Sequence, residues 1–221
     1  MQPDLPQTEA AIVEITNAFR KANALREVKP NSTLAAAART FAGYLARNGK
    51  FSHEADGRKP EQRAQAHGYS YCLVAENLAL NLDSRGFETL RLAHETVEGW
   101  KNSPGHRANL LLADATEIGV AVVRAPDKHP KFISVQMFGR PASLKVTFTI
   151  QNLAGKAVGY TLGNERDVIN PREMITHAQC ADDGLSIEGA GTAAKAMKPR
   201  DGDRFVIRTL NGTIRVDVER R

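Results

Sequence analysis

At Arg140-Pro141 the hydrophobic period of the chain changes, and two different kinds of packing must follow. Upstream, apolar residues recur at three and four positions, the spacing of an amphipathic helix. Ile12, Ile15, Phe19 and Ala22 mark one stripe, and Leu34, Ala38, Phe41 and Leu45 mark a second that opens on a Ser/Thr cap and stops at Gly49. Pro30 separates the two. Downstream, SLKVTFTIQ alternates strictly, with Leu144, Val146, Phe148 and Ile150 on one face, the period of a half-buried strand. Near the end, Asn211-Gly212 sits between RFVIRTL and TIRVDVER and supplies the positive φ angles of a two-residue hairpin turn.

Between these ends the order of elements is mixed. PEQRAQAHG predicts a short helix with proline in its first turn, CLVAENLAL a buried strand, and GFETLRLAHETVEGW a helix whose inner side carries Phe87, Leu90, His94, Val97 and Trp100 or Lys101. TEIGVAVVRA and KFISVQMFG are strands joined by a polar loop with Pro126 and Pro130. Helices flanking a small sheet make residues 8–140 an α/β (α+β) sandwich, and residues 142–221 a small all-β domain of the sandwich or open-barrel kind. The small-residue stretch EGAGTAAKAM belongs to the second domain.

Charge and cysteine usage narrow the function classes. The net charge of +5 is spread through intermixed acidic and basic residues, with no basic block that would track a phosphate backbone, so nucleic acid is not an expected partner. No apolar run approaches the roughly 18 residues of a membrane span. The opening MQPDLPQTEA is short and polar, which reads as the start of a mature segment rather than a leader. Cys72 and Cys180 are too far apart for a CxxC motif; two separate buried thiols are the simpler expectation, and a disulfide between them the alternative.

Three ionisable residues stand at the edges of elements: His53 in FSHEADG, Glu76 inside the apolar run VAENLA, and His106 behind the Ser103-Pro104-Gly105 break. A lone carboxylate in an apolar run must be paired or hydrogen-bonded. His94 reads as a satisfied core histidine, His67 and His129 as surface loop residues, and His177 as part of the β domain.

The segments NAFRKANAL, KFSHEADG…RAQAHGYS, VAENLAL, VEGWKNSPGHRANLL and EIGVAVV…QMFGR follow one another as in the CAP superfamily of cysteine-rich secretory, antigen 5 and pathogenesis-related proteins. The chain resembles its short bacterial branch over residues 8–140. The resemblance implies an α-β-α sandwich with an open cleft, in a secreted, periplasmic or cell-envelope protein. It also implies a His-Glu-Glu-His tetrad, of which His53, Glu76 and His106 match three members. The second glutamate falls on Ser103, and Glu98 precedes Trp100 and would point elsewhere. The expected site is therefore His53, Glu76, Ser103 and His106.

Four uses of that site follow. His53 and His106, with Glu76 and a water, would suit zinc as a cofactor. A hydrolase, protease or cell-wall hydrolase, can be drawn through Ser52 or Ser103 with the His/Glu/His set, although no G-x-S-x-G elbow is present. A purely structural network of hydrogen bonds is a third use. The favoured one is a non-enzymatic binding module whose partner is an extended ligand such as a glycan, a peptide or a lipid.

Overall fold

The computed structural model describes residues 2–191 and 196–220, so part of the EGAGTAAKAM stretch lies outside the described residues. The chain divides into two compact units, Met1–Ser143 and Leu144–Arg221.

In the first unit, helix α1 (Leu5–Ala22) starts where the Asp4 carboxylate accepts the Gln7 N–H at 2.9 Å, with Pro6 in its first turn. Its buried face is Thr8, Ala11, Ile12, Thr16 and Arg20. The stripe is rotated from the expected one, and Ala22 is exposed, because Arg20 turns inward. The Arg20 guanidinium donates to the carbonyls of Arg26, Leu110 and Leu112 at 2.9 Å each, so its buried charge is met by carbonyl oxygens. Strand β1 (Lys29–Pro30) is followed by helix α2 (Ser32–Asn48), which is capped by Asn31 rather than by Ser32 or Thr33. The Asn31 side chain accepts the N–H groups of Thr33 and Leu34 at 2.9 and 3.0 Å. Helix α3 (Pro60–Ala66), strand β2 (Tyr71–Leu82), helix α4 (Thr89–Lys101), helix α5 (Pro104–Leu110), and strands β3 (Glu117–Ala125) and β4 (Lys131–Pro141) complete the unit.

The four strands lie in the order β1-β3-β4-β2, with β2–β4 and β3–β4 antiparallel and β1–β3 parallel. On one face, Ile12, Leu92, Val97, Trp100 and Leu110 of the helices cover Ile118, Val120, Val122, Phe132 and Phe138. On the other, Leu34, Ala38, Phe41, Leu45 and Ala64 cover Ala121, Ile133, Val135 and Met137. Three layers, helix-sheet-helix, result. Gly119 on β3 lets α2 lie directly on the strand: a Cβ there would stand 2.2 Å from the Ala35 nitrogen. The inner side of α4 is Leu92, Ala93, Thr96, Val97 and Trp100; His94 and Leu90 are exposed, so His94 is no core histidine. His67 is half-buried, with its ring bonded to the Arg63 carbonyl at 2.8 Å and the Thr40 hydroxyl at 3.0 Å.

A 3-10 turn, Ala142–Leu144, crosses the boundary between the units and leaves Leu144, where the second begins, exposed rather than on the inner face of the strand. Among its described residues the second unit has strands β5 (Val146–Asn152), β6 (Val158–Leu162), β7 (Glu165–Ile169), β8 (Met174–Gln179), β9 (Leu185–Ile187), β10 (Arg204–Leu210) and β11 (Thr213–Glu219). Sheets β11-β10-β5-β8 and β7-β6-β9 share one core containing Phe148, Ile150, Tyr160, Leu185, Phe205 and Ile207. The β10–β11 hairpin closes at Leu210↔Thr213 through Asn211 (φ 51°) and Gly212 (φ 75°). Cys72 and Cys180 are disulfide-bonded and half-buried, which corrects the reading of two separate buried thiols. Among the described residues no helix is long and apolar enough to cross a membrane.

Candidate functional site

Glu76 sits on β2, the outermost strand of the first sheet, opposite Met137. Its side chain is 1% exposed, so its charge needs partners. Arg63 of α3 supplies them. The Nη2 group of Arg63 donates to both Glu76 oxygens, at 2.9 and 2.8 Å, and to the His53 carbonyl at 2.8 Å. Its Nη1 group reaches the Asp56 carboxylate at 2.9 Å and the Arg58 carbonyl at 2.6 Å. The guanidinium lies 3.5 Å from the centre of the Phe41 ring, which closes its other side. A single buried cation thus binds the 53–58 loop to the buried carboxylate.

His53 completes the arrangement. Its Nδ1 lies 2.8 Å from Glu76 Oε1, and half of its side chain is exposed. A carboxylate only accepts, so Nδ1 carries the shared proton, and in the neutral form of the ring Nε2 keeps its lone pair. Glu76 does not itself line an open hollow: it lies beneath His53 and fixes the tautomer of that ring.

His106 is placed by a separate polar layer. Proline at the first position of α5 starts a new helix directly after α4. Asn109 of that helix donates to the Glu76 carbonyl at 3.0 Å and to Asn77 Oδ1 at 2.9 Å. Asn77 donates to the His106 carbonyl at 3.2 Å and to Gln136 Oε1 at 3.0 Å, and Gln136 donates to the Thr16 hydroxyl at 3.0 Å. Trp100 Nε1 bonds the Leu78 carbonyl at 2.9 Å, which seats the end of α4 on β2. Arg107 lies over the Phe19 ring at 5.0 Å. Ser103 occupies the cap position of α5, yet its side chain makes no capping bond.

Burial lowers the pKa of His106, and the positive charge that His53 carries when protonated lowers it further. Because the folded value lies below the unfolded one, the unfolded chain takes up the proton more readily. The stability contributed by neutral His106 is complete above the unfolded value of about 6.5 and is lost as pH falls through the depressed midpoint. Ring titration by NMR is expected to place the His106 midpoint below that of a free imidazole and to raise it partway in a His53→Gln variant. A midpoint at or above the free value contradicts this placement.

The donors expected for a metal are the His53 and His106 imidazoles. The Glu76 carboxylate is occupied by Arg63 and His53, and among the described residues no group of three or more His, Cys, Asp or Glu side chains gathers. Glu76 accepting from Nδ1 matches the outer partner that orients a metal-ligating histidine, but a zinc site normally takes at least three protein ligands. Arg63, Asn77, Gln136 and Arg20 were not singled out by sequence reasoning. Asn77 and Gln136 had a signal: each is a polar residue within an apolar strand.

A family model described as the cysteine-rich secretory protein family, CAP, matches residues 13–138. The uncharacterized protein YkwD of Bacillus subtilis is 32% identical over 118 residues, 53% of this chain and 43% of its own length. An uncharacterized protein of Borreliella burgdorferi is 28% identical over 127 residues, 58% of this chain and 74% of its length. This chain thus spans less than half of the first of these relatives. Among solved structures, an outer surface protein from Borrelia burgdorferi superposes with a TM-score of 0.52 at 25% identity, over 61% of this chain and 92% of that one. An extracellular protein containing an SCP domain from Bacillus anthracis gives a TM-score of 0.50 at 26% identity, over 62% of this chain and 41% of that one.

Proposed function

The chain belongs to the cysteine-rich secretory protein (CAP) family, and from that premise we propose that it is an extracellular binding module. Its ligand, an extended glycan, peptide or lipid, is received at the surface carrying His53 and His106. The observation that carries this reading is the commitment of Glu76. Its oxygens are held by Arg63 and His53, which leaves no free carboxylate for nucleophilic attack and presents instead a rigid, half-exposed imidazole. A fixed ring with one outward acceptor is a recognition element, reproducible from molecule to molecule because its support is buried. The extracellular setting is supported by the similarity to an outer surface protein and to an extracellular protein, and by disulfide-bonded cysteines, which persist in oxidising compartments.

The His53–Glu76 bond favours a second reading, a hydrolase in which His53 Nε2 acts as general base toward water or a hydroxyl. Ser52 and Ser103 are the hydroxyls nearest in sequence, but among the described residues no hydrogen bond joins either side chain to an imidazole.

Calorimetric titration separates these uses. The probes are a soluble cell-wall glycan oligomer, an unstructured peptide, a lysolipid and zinc chloride, each against the intact chain and a His53→Ala/His106→Ala variant. One organic probe is expected to bind the intact chain and lose at least about tenfold in the variant, the worth of one or two polar contacts. Zinc heat abolished in the variant would assign the imidazoles to a metal, and turnover of a probe that stops in His53→Ala would assign the hydrolase. Equal heats in both proteins for all four probes contradict the placement of the binding surface.

A further inference from the structure

The second unit holds a polar pocket of its own, built without His53 or His106. It measures about 400 Å³ and is lined by Leu162, Asn164, Glu165, His177, Gln179 and Asp183. On one side the β6–β7 hairpin closes at Leu162↔Glu165 through Gly163 (φ 59°) and Asn164. The Gly163 N–H donates to the Gly184 carbonyl at 3.0 Å, which brings Asp183 against this turn. A Cβ on Gly163 would stand 2.8 Å from Asp183 Oδ1, so glycine both meets the positive φ and leaves the carboxylate its place. Strand β8 supplies the other side. His177 and Gln179 are two residues apart and share one face of β8, and His177 stacks on Phe148 of the core at 5.3 Å.

The polar side chains here present acceptors. Gln179 Nε2 donates to the Asp183 carbonyl at 3.2 Å, while its Oε1, closed off from solvent, has no hydrogen-bond partner among the described residues. The Tyr160 O–H donates to Asp167 at 3.2 Å, so the Tyr160 oxygen takes the His177 Nε2 proton at 3.0 Å. In the neutral form of that ring Nδ1 keeps its lone pair. Burial lowers the His177 pKa more than the Asp167 charge raises it, which favours the neutral form. The cations beside the two carboxylates are engaged elsewhere. Arg166, next to Glu165, pairs with Glu188 at 2.6 Å, and Lys198 pairs with Asp182, next to Asp183. Among the described residues no hydrogen bond or ion pair reaches the Glu165 or Asp183 carboxylate.

We propose that this pocket binds a primary ammonium group on an aliphatic stem, the side chain of a lysine in a peptide partner. An ammonium brings a positive charge and three N–H donors, which match two carboxylates, an amide oxygen and an imidazole lone pair. Leu162 gives the methylene stem an apolar contact. A bare metal ion fits less well, because no group of three or more His, Cys, Asp or Glu side chains gathers among the described residues. The competing account is a solvated acidic turn. It explains two hydrated carboxylates but not a buried amide oxygen left without a donor.

The test uses the whole chain, labelled with nitrogen-15, at about pH 7.5, above the ordinary imidazole range. The probe is Nα-acetyl-lysine N-methylamide. The amide signals of Asn164, Glu165, Gln179 and Asp183 are expected to move together, with half-saturation at about 1 mM, within reach of one small charged group. The trimethyllysine analogue keeps the charge without an N–H, and the norleucine analogue keeps only the stem. Each should bind at least about tenfold more weakly, the worth of a charged hydrogen bond. Asp183→Asn and Gln179→Leu should each weaken the lysine probe to a similar extent. Glu165→Gln, at an exposed position where folding is not at stake, should weaken it about threefold. Signals that stay still up to about 20 mM overturn the proposal, as does equal binding of either analogue. Unchanged affinity in Asp183→Asn and Glu165→Gln overturns it too. So do calcium chloride or glucosamine if either gives the same shifts at lower concentration than the lysine probe, because the pocket is then a metal or a glycan site.

Discussion

Arg63→Met should lower the unfolding free energy of the first unit by about 3–5 kcal/mol, the cost of stranding one member of a buried ion pair. The side chains of Arg63 and Glu76 are 3% and 1% exposed, so water cannot replace the lost partner without opening the structure. The same substitution frees the His53 carbonyl, the Arg58 carbonyl and Asp56, and the 53–58 loop loses its fastening together with the carboxylate. Removing both charges is a different experiment. An Arg63→Met/Glu76→Leu protein should recover part of the loss, because a buried pair replaced by apolar groups of similar size is often neutral. The coupling between the two single changes reads the pair directly. Urea unfolding followed by the fluorescence of Trp100, the one tryptophan and a buried residue of this unit, reads the values. A loss under about 1 kcal/mol, the range of an exposed pair, would mean that the network is hydrated and holds nothing in place.

Gly119→Ala should be nearly as damaging, at about 3 kcal/mol, the upper end of the usual range for overpacking. The added methyl would lie 2.2 Å from the Ala35 nitrogen and 2.3 Å from the Leu34 carbonyl carbon. Both are backbone atoms in the first turn of α2, so relief requires the helix to move off the sheet. Gly139→Ala is the internal comparison. There the nearest atoms are the Tyr69 hydroxyl and a Leu34 methyl, at 2.5 and 2.8 Å, which belong to side chains with rotamers to exchange. Thermal unfolding of the two variants should rank Gly119→Ala as the less stable. The reverse order would show that α2 shifts more readily than Tyr69, which is held by a 2.5 Å bond to Glu117.

The layers were legible because they rest on periodicity. The Leu34–Ala38–Phe41–Leu45 stripe and the alternation of Phe148 and Ile150 each map onto a buried face. The hairpin at Asn211-Gly212 was legible because few residue pairs tolerate two positive φ angles in succession. Failures came where a polar group overrode the apolar pattern. Arg20 rotates α1 by collecting carbonyls from residues remote in sequence, and no local spacing announces that. The stripe through Leu90 places His94 in the core, whereas α4 turns Leu92, Ala93 and Val97 inward.

At the candidate site, the resemblance points to His53, Glu76 and His106, and the expectation that they stand at element edges fails for Glu76, which is mid-strand in β2, and for His106, which lies within α5; the arginine that holds Glu76 carries no mark in the sequence. Arg63 lies in a short helix of mixed polarity where an arginine carries no signal of burial. Its role depends on the packing of α3 beneath the loop, which is a tertiary event.

Buried Glu76, clamped by Arg63, holds the His53 ring with its Nδ1 proton inward, which leaves the Nε2 lone pair of the neutral ring outward. A long-range proton–nitrogen correlation spectrum of the histidine rings at pH 8, where imidazoles are neutral, reads this directly. His53 is expected to be protonated at Nδ1 alone and to lose that preference in Glu76→Leu. A His53 ring protonated at Nε2, or one averaging between both tautomers in the unaltered chain, would contradict it.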